Sequence, residues 1–452
     1  MKPAELEGRK IGILGIGREG QSAREYLRSI CPGIELDLIS EEPPDRLFAG
    51  QLGDQDRLFT GPLSQLRLER YDLLVRSPGI SLYRESIQQA LSAEVEITTP
   101  SNLWFAAHPQ EQTICVTGTK GKSTTSALIA HALRCCGHKV RLAGNIGLPL
   151  FSCDDRDVDW WVIELSSFQL ADLEAAPTAA VILNLTAEHL DWHGSVQTYR
   201  QDKLRLAQLA AGSVLVANAA DPVLTKALSG QSNISWFNSE SGIHVAGCAI
   251  HDGPCALPVC LPEGLPGPHN LANVAAALTV LRAIGADLET AVRALSSFRS
   301  LPHRLQAVGE QSGVRYINDS ISSTPVATAA ALQALGEQSI TLIVGGLDRG
   351  LDWTPYMETF MTCMPGAVIA IPENGAQIVD TMRSAGLQPE KGLHLVSGLA
   401  DAVKLAQRIT HVDGIVLLSP GAPSFPQFED YRDRGRQFTR LCGFELKENS
   451  IW

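Results

Sequence analysis

From Thr113 to Thr125 the chain reads TICVTGTKGKSTT: an apolar run, a glycine turn, then Lys-Ser-Thr. Residues of these types in this order suit phosphate binding. Gly118 and Gly121 permit a compact turn, through Thr119 and Lys120, whose N–H groups point inward at phosphate oxygens. Lys122 reaches the β- and γ-phosphates, and the hydroxyl of Ser123 or Thr124 joins a Mg2+ shell. The common P-loop pattern G-x-x-x-x-G-K-[ST] places a glycine where Val116 stands. Val116 therefore stays in the strand, and the turn begins at Thr117-Gly118. A surface glycine turn with a chance Lys-Ser-Thr is the bland alternative, and a strand before with a helix after argues against it.

Carboxylates and imidazoles follow. VIELSSFQL ends a buried strand on Glu164, a carboxylate that needs a cation or a hydrogen-bond network there. NLTAEHLDWHG sets His189, Asp191 and His193 just after another strand end, where α/β sheets bind ligands. Three such groups raise zinc, but with no cysteine beside them hard Mg2+ with phosphates is the better partner. Taken singly, Asp191 and His193 read as solvated loop residues.

Another glycine turn lies near the start. Gly15, Gly17 and Gly20 fit G-x-G-x-x-G between a strand and a helix, the arrangement that brings backbone to a diphosphate. Glu41 stands about 20 residues on, where a dinucleotide fold keeps its ribose-binding acid. An NAD-dependent dehydrogenase is therefore one reading, and a ligand-free tight turn another. Toward the other end, Arg304 in LPHRL and Asp319 in YINDS read locally as salt-bridge members. SPGAPSFPQFEDYRDRG offers Ser419 and Ser424 as donors to a carboxylate, or simply a capping turn.

Alternating strands and helices must position these groups. KIGILGIG, QSAREYLRSI, IELDLIS and DLLVRSPGI imply parallel β-α-β units. EITTPSNLWFAAHPQ, with Pro100 and Pro109, separates them from a second series: DWWVIELS, AAVILNLT and GSVLVAN. After FRSLPHRL a third series runs through VRYINDS, ITLIVGGLD, AVIAIP, GLHLVSG and GIVLLSPG. The expected fold is three α/β domains, at 1–100, 101–300 and 301–452. With 37 Lys and Arg against 49 Asp and Glu, the net charge of −12 argues against nucleic acid or an anionic membrane as the main partner. No run is long enough to span a membrane, MKPAELEGRK lacks a signal peptide's apolar core, and the scattered cysteines form no C-x-x-C pair. A cytoplasmic protein with reduced thiols is expected.

Taken together the motifs resemble the Mur ligases, and within them the glutamate-adding MurD branch. TGTKGKSTT, GNIGLPL, IELSSFQL, HLDWHG, PHNLANVAAA, LPHRL, NDS, GGLDRG and the final LLSP…SF fall in family order along essentially the whole chain. Val116 is normal for the T-G-T-x-G-K-[ST] loop of this family. The resemblance implies a Rossmann-like domain for a UDP substrate, a central P-loop ATPase domain, and a Rossmann-like domain receiving the amino acid. It implies ATP-dependent amide formation on UDP-N-acetylmuramoyl-L-alanine through an acyl-phosphate, in peptidoglycan precursor synthesis, by a chain acting as a monomer.

By the same resemblance, Gly118 to Thr124 hold ATP phosphates, and Asn270 or Asn273, with Arg304 and Asp319, holds the nucleotide. Ser123, Glu164 and His189 serve Mg2+, together with a carbamylated Lys203, which read alone is a solvated helix lysine. Gly15, Gly17, Arg18 and Gly20, with Ser77 and Gly79 of SPGI and with Asn145, contact the UDP substrate. Glutamate is assigned to Arg349, Ser424 and the Ser322-Ser323 turn, with Tyr431 lining the pocket; the Arg349 fork grips one carboxylate.

Several positions depart from mainstream MurD: Lys120 for Asn, Glu188 for Asp, Arg349 where some members have Lys, and NDSISSTP for NDSKATN, so that Ile321 replaces a lysine. With GIGREG and SPGAPSF they are similar to a second MurD subfamily that adds L-glutamate, which an epimerase inverts later. L-glutamate is the expected substrate and D-glutamate the alternative. A non-catalytic nucleotide-binding regulator is the rival class, and it would not need Lys203 beside a complete ATP site.

Overall fold

The computed structural model describes residues 5–42, 52–53, 55–146, 148–152, 157–259, 261, 265, 268–299, 301–336 and 338–445. Gly147 of GNIGLPL, Ser300 beside the expected boundary and both ends of the chain lie outside them. The chain falls into two compact units. One comprises residues up to Val259 with Leu271–Ala294; the other holds the short stretch ending at Asn270 and the chain from Leu295.

The first unit contains two parallel sheets. In one, β1 (Ile11–Leu14), β2 (Leu36–Ser40), β3 (Asp56–Thr60), β4 (Leu73–Arg76) and β5 (Glu96–Thr98) lie in the order β3-β2-β1-β4-β5. In the other, β6 (Thr113–Thr117), β7 (Val140–Gly144), β8 (Trp160–Glu164), β9 (Ala179–Ile182), β10 (Val214–Asn218) and β11 (Ile234–Phe237) take the order β11-β10-β9-β6-β8-β7. Helices cover both faces of such sheets, so central strands read as unbroken apolar runs. β1, β4, β6 and β9 are buried at every residue. In both sheets the strand order reverses next to the strand that carries a glycine turn, and that reversal opens a crevice for ligands at the strands' C-terminal ends. A small antiparallel sheet of β12 (Ile243–Ala246), β13 (Ala249–Asp252) and β14 (Cys255–Ala256) completes this unit.

The second unit is one mixed sheet, β15-β16-β20-β17-β18-β19. Its strands are β15 (Gln306–Gln311), β16 (Val314–Asn318), β17 (Ile340–Val344), β18 (Ala367–Ala370), β19 (Leu393–Leu395) and β20 (Ile415–Leu418). Only β15 pairs antiparallel. One cluster around Leu332, Phe360 and Ile378, and another around Leu399, Val403 and Phe438, form its core.

The stretch that reads as a separator is ordered. It forms β5 and the helix Pro100–Ala107, where Pro100 takes a first-turn position and Thr99 caps Asn102 N–H. Leu103 and Trp104 are buried, and the Trp104 ring meets Trp161 edge-on at 4.8 Å. Every cysteine among the described residues is a free thiol, and no helix among them is long and apolar enough to cross a membrane.

Candidate active site

At the end of β6 the chain turns through Gly118, at φ +157°, and Gly121, at φ +86°, backbone that side chains rarely adopt. A Cβ on Gly121 would lie 2.3 Å from Asn273 Oδ1, so the glycine also makes room for that amide. The following loop holds the turn open. Asn184 Oδ1 accepts Lys120 N–H at 2.8 Å and its amide donates to Lys120 O at 3.0 Å. Thr119 Oγ1 meets Thr186 O at 2.9 Å and Tyr199 OH at 2.6 Å. Lys122 curls over the turn, donating to Gly118 O at 3.0 Å and Thr119 O at 2.9 Å. Lys122, Ser123 and Thr124 open the helix Lys122–Cys135, so its first N–H groups and the turn face one anion site. Lys120 departs from the pattern of a phosphate ligand: its ammonium pairs with Glu188 at 2.5 Å.

Glu164 ends β8 and is 1 % exposed. Asn145 donates to its Oε1 at 2.6 Å, while Oε2 is buried without a hydrogen-bond partner. Such an oxygen is costly unless a cation or donor joins it. Lys203 does not stand in solvent, as its local sequence suggests; it is 2 % exposed, because the helix Val196–Leu209 turns it onto the glycine turn. Its Nζ donates to Gly118 O at 2.9 Å and Thr117 Oγ1 at 3.3 Å. Burial, then the Lys122 charge, pulls its pKa well down, against Glu188, Glu164 and Asp202. His189 is exposed at φ +55° before the short helix Leu190–His193. Its pKa is nonetheless lowered, by partial desolvation of the ring against the Glu188 and Asp191 charges, with Lys122 and Lys203 adding to the lowering. Thus Lys122, Lys203, Glu164, Glu188 and His189 share one electrostatic neighbourhood.

No three His, Cys, Asp or Glu side chains among the described residues converge to hold a metal unaided. Mg2+ does not need such a cluster, because it takes one or two carboxylates and completes its shell with water and phosphate. The buried, partnerless Glu164 Oε2 suits that role. His193 corrects the solvated-loop reading: it is 2 % exposed and bonded on both ring nitrogens. Asp191 is exposed, as expected.

At the end of β1, Gly15 N–H bonds Ile39 O at 2.8 Å and Ser77 Oγ donates to Gly15 O at 2.7 Å, stitching the turn to the loop after β4. A Cβ on Gly20 would fall 1.9 Å from Gly15 O, whereas Gly17 and Gly79 have open space around them. Arg18 is exposed, and the neighbouring Glu19 is pushed up to about 7 by burial. Glu41 is not an open ribose acid: Arg84 grips both its oxygens at 2.6 and 2.8 Å.

In the second unit the loops after β16, β17 and β20 gather at one end of the sheet, at its reversal of strand order. Asp319 is buried and accepts Ser419 Oγ at 2.8 Å, Leu305 N–H at 3.1 Å and the Ser322 hydroxyl. Burial raises its pKa, and the Arg304 charge opposes this. Ser322 and Ser419 therefore spend their protons on Asp319. Ser424 is buried, Ser323 and Arg349 are exposed, and the half-buried Tyr431 ring meets His303 edge-on at 6.0 Å. Asn270 is buried at the start of the helix Pro268–Ala283.

Sequence reasoning missed Asn184, Tyr199, Asp202 and Arg434. Tyr199 lies four residues before Lys203 on the same helix face, a spacing open to inspection. Arg434 is 0 % exposed and donates to Ser320 Oγ, Ser320 O and Ala422 O at 2.9–3.0 Å, clamping the loops after β16 and β20. In DYRDRG it is one arginine among charged neighbours, and no local signal marks it as buried.

Profiles of three domains match in series: Mur ligase MurD-like N-terminal domain over residues 9–99, Mur ligase middle domain over 116–281, and Mur ligase glutamate ligase domain over 303–421. The UDP-N-acetylmuramoyl-L-alanine–L-glutamate ligase of Xanthomonas oryzae pv. oryzae is 40% identical, covering 98% of this chain and 97% of its own. The ligase of the same name from Xylella fastidiosa is also 40% identical, with the same coverage. Among solved structures, UDP-N-acetylmuramate-alanine ligase MurC of Thermotoga maritima shares the fold at TM-score 0.62 and 20% identity, over 96% of this chain and 98% of its own. The chain belongs to the Mur ligase family.

Proposed function

We propose that this ligase joins glutamate, as the L enantiomer, to UDP-N-acetylmuramoyl-L-alanine in the cytoplasm, at the expense of ATP and through an acyl-phosphate. The observation that carries the reading is the Glu164 oxygen buried without a partner in the neighbourhood of Lys122 and Lys203. An arrangement of this kind handles crowded phosphate charge. Mg2+ would be held by Glu164, Ser123, His189 and a carbamylated Lys203, and would supply positive charge to the phosphate and acyl oxygens. The buried Lys203 amine, with no carboxylate in ion-pair contact among the described residues, suits carbamylation: its nitrogen bonds the carbon of CO2 and releases a proton.

The turn N–H groups and Lys122 grip the phosphates and set the γ-phosphorus in line with the substrate carboxylate. A carboxylate oxygen bonds that phosphorus as the β–γ bridge breaks and ADP leaves. The glutamate amine then bonds the acyl carbon, the C–O bond to phosphate breaks, and the amine loses a proton to solvent. Gly15, Gly17 and Gly20 with Ser77 are the diphosphate cradle of the UDP group. The loops after β16, β17 and β20 receive glutamate, with Arg349 on one carboxylate and the Ser323 and Ser424 region on the other.

The L assignment rests on likeness to the L-glutamate-adding relatives. Incubation with ATP, Mg2+, UDP-N-acetylmuramoyl-L-alanine and each glutamate enantiomer, assayed for phosphate, tests it. Faster release with L-glutamate is expected; faster release with D-glutamate sinks the enantiomer and leaves the ligase. Silence with both sinks the reaction.

A further inference from the structure

A chain of hydrogen bonds in the first unit, buried from Asp202 to Ser167, lies outside the roles given above. The Tyr83 hydroxyl donates to Asp202 Oδ1 at 2.6 Å. The other Asp202 oxygen meets His193 Nδ1 at 2.6 Å, and His193 Nε2 meets Ser167 Oγ at 2.9 Å. His193, Ser167 and Asp202 are 2 %, 3 % and 7 % exposed. Both ring nitrogens of His193 are thereby engaged, one on each side of the chain. The order Ser-His-Asp resembles a hydrolytic triad, but the serine is shut away from any substrate, so nucleophilic attack is not its work.

Placement explains the chain better. Ser167 follows Glu164 by one short turn, His193 closes the short helix that starts after His189, and Asp202 immediately precedes Lys203. Each buried member therefore anchors a segment carrying one group of the metal site proposed above. Tyr83 adds the loop after β4, which is also fixed by Ser81 Oγ on Trp192 O at 2.6 Å and Trp192 Nε1 on Pro78 O at 3.1 Å. We infer that Asp202 and His193 are positioning residues: they hold the segments of Glu164, His189 and Lys203 in the register that lets these groups share one cation, and Tyr83 ties that register to the loop facing the UDP substrate. Groups that orient metal ligands in this way typically change metal affinity or activity about 10–100-fold when removed.

The inference rests on the metal reading, and one experiment separates the two. Mn2+ is titrated into the whole protein saturated with ADP and followed by electron paramagnetic resonance, alongside the thermal midpoint. Asp202→Asn is expected to weaken Mn2+ about 10–100-fold. Tyr83→Phe removes a single hydroxyl from a partly exposed ring; it should weaken Mn2+ by a smaller factor at an unchanged midpoint and raise KM for the UDP substrate. Glu164→Gln is the reference. If Glu164→Gln loses Mn2+ while Asp202→Asn and Tyr83→Phe bind it as the parent does, the metal reading stands and the positioning role is wrong. Parental Mn2+ affinity in Glu164→Gln removes the metal reading and this inference with it. Should Asp202→Asn fail to fold, Tyr83→Phe decides alone.

Discussion

The first unit holds two glycine turns in equivalent places, each where a central parallel strand gives way to a helix beside a reversal of strand order. Both contain a glycine that cannot carry a side chain, Gly20 against Gly15 O and Gly121 against Asn273. Their surroundings differ. The turn after β6 has Lys122 on its carbonyls and Lys203 buried behind it. The turn after β1 has an exposed arginine and a half-buried acid, Glu19. Backbone N–H groups alone are enough to seat a phosphate; a transferring phosphate also needs positive charge held in place for the charge that develops. On the proposed reading, the first turn holds an anion and the second reacts one.

The largest break in that comparison is Lys122→Ala. Phosphate release should fall by about 10^3-fold or more, as when a charged transition-state donor is removed. Binding of the UDP substrate, measured by calorimetry, should stay near parental. Near-normal turnover in the folded variant would remove the reacting role from the second turn. Lys203→Ala comes next, with a loss of about 10^2-fold. Added acetate should restore part of it, because a free carboxylate can fill the vacated space with negative oxygens. Full activity without acetate, or a bare amine shown by both intact mass and density in active enzyme, rules out the carbamate.

A glycine pair sharpens the first turn. Gly20→Ala should destabilise by about 1–3 kcal/mol, since the added carbon would overlap Gly15 O and the turn must shift. Gly17, at φ −67° with nothing within 4 Å, should accept alanine with no loss in urea unfolding. A raised KM for the UDP substrate in Gly17→Ala then reports ligand contact alone. Equal stability of the two variants would contradict the packing of the turn.

Legibility in the sequence follows the same physics. Strands buried on both faces, such as β6, β9, β17 and β20, announce themselves as apolar runs. The edge strands β3, β5, β11 and β15 did not, because each is partly solvated and carries polar residues, as DRLFT does. Glycine turns and strand-end carboxylates were legible because few residue types can serve there. Lys203 was found only by resemblance: QDKLRLA has an ordinary solvated-helix pattern, and its burial depends on a turn some eighty residues away in sequence. His193 was misread for the same reason, its partners Asp202 and Ser167 being contacts that tertiary packing creates.

The smallest expected effect tests the charge contrast itself. Glu19 has its carboxyl raised from 4.5 to about 7 by burial, and the Gln169 amide donates to it at 3.3 Å. Between those two values the folded chain keeps a proton that the unfolded chain has lost. Stability therefore falls as pH rises from about 4.5 through 7 and stays lower above it. Glu19→Gln lacks this term, so it should match the parent near pH 5 and exceed it at pH 8 by roughly 1–2 kcal/mol after allowance for solvent screening. The same proton bears on the ligand. If the first turn seats the diphosphate as proposed, an ionised Glu19 beside it repels it, so affinity of the parent for UDP-N-acetylmuramoyl-L-alanine should drop between pH 6 and pH 8, and that of Glu19→Gln should not. Urea unfolding and calorimetry at the two pH values read both effects. A flat stability difference would show that Glu19 is not held as buried as its packing implies. A stability difference without an affinity difference would leave Glu19 buried but place the diphosphate away from the first glycine turn.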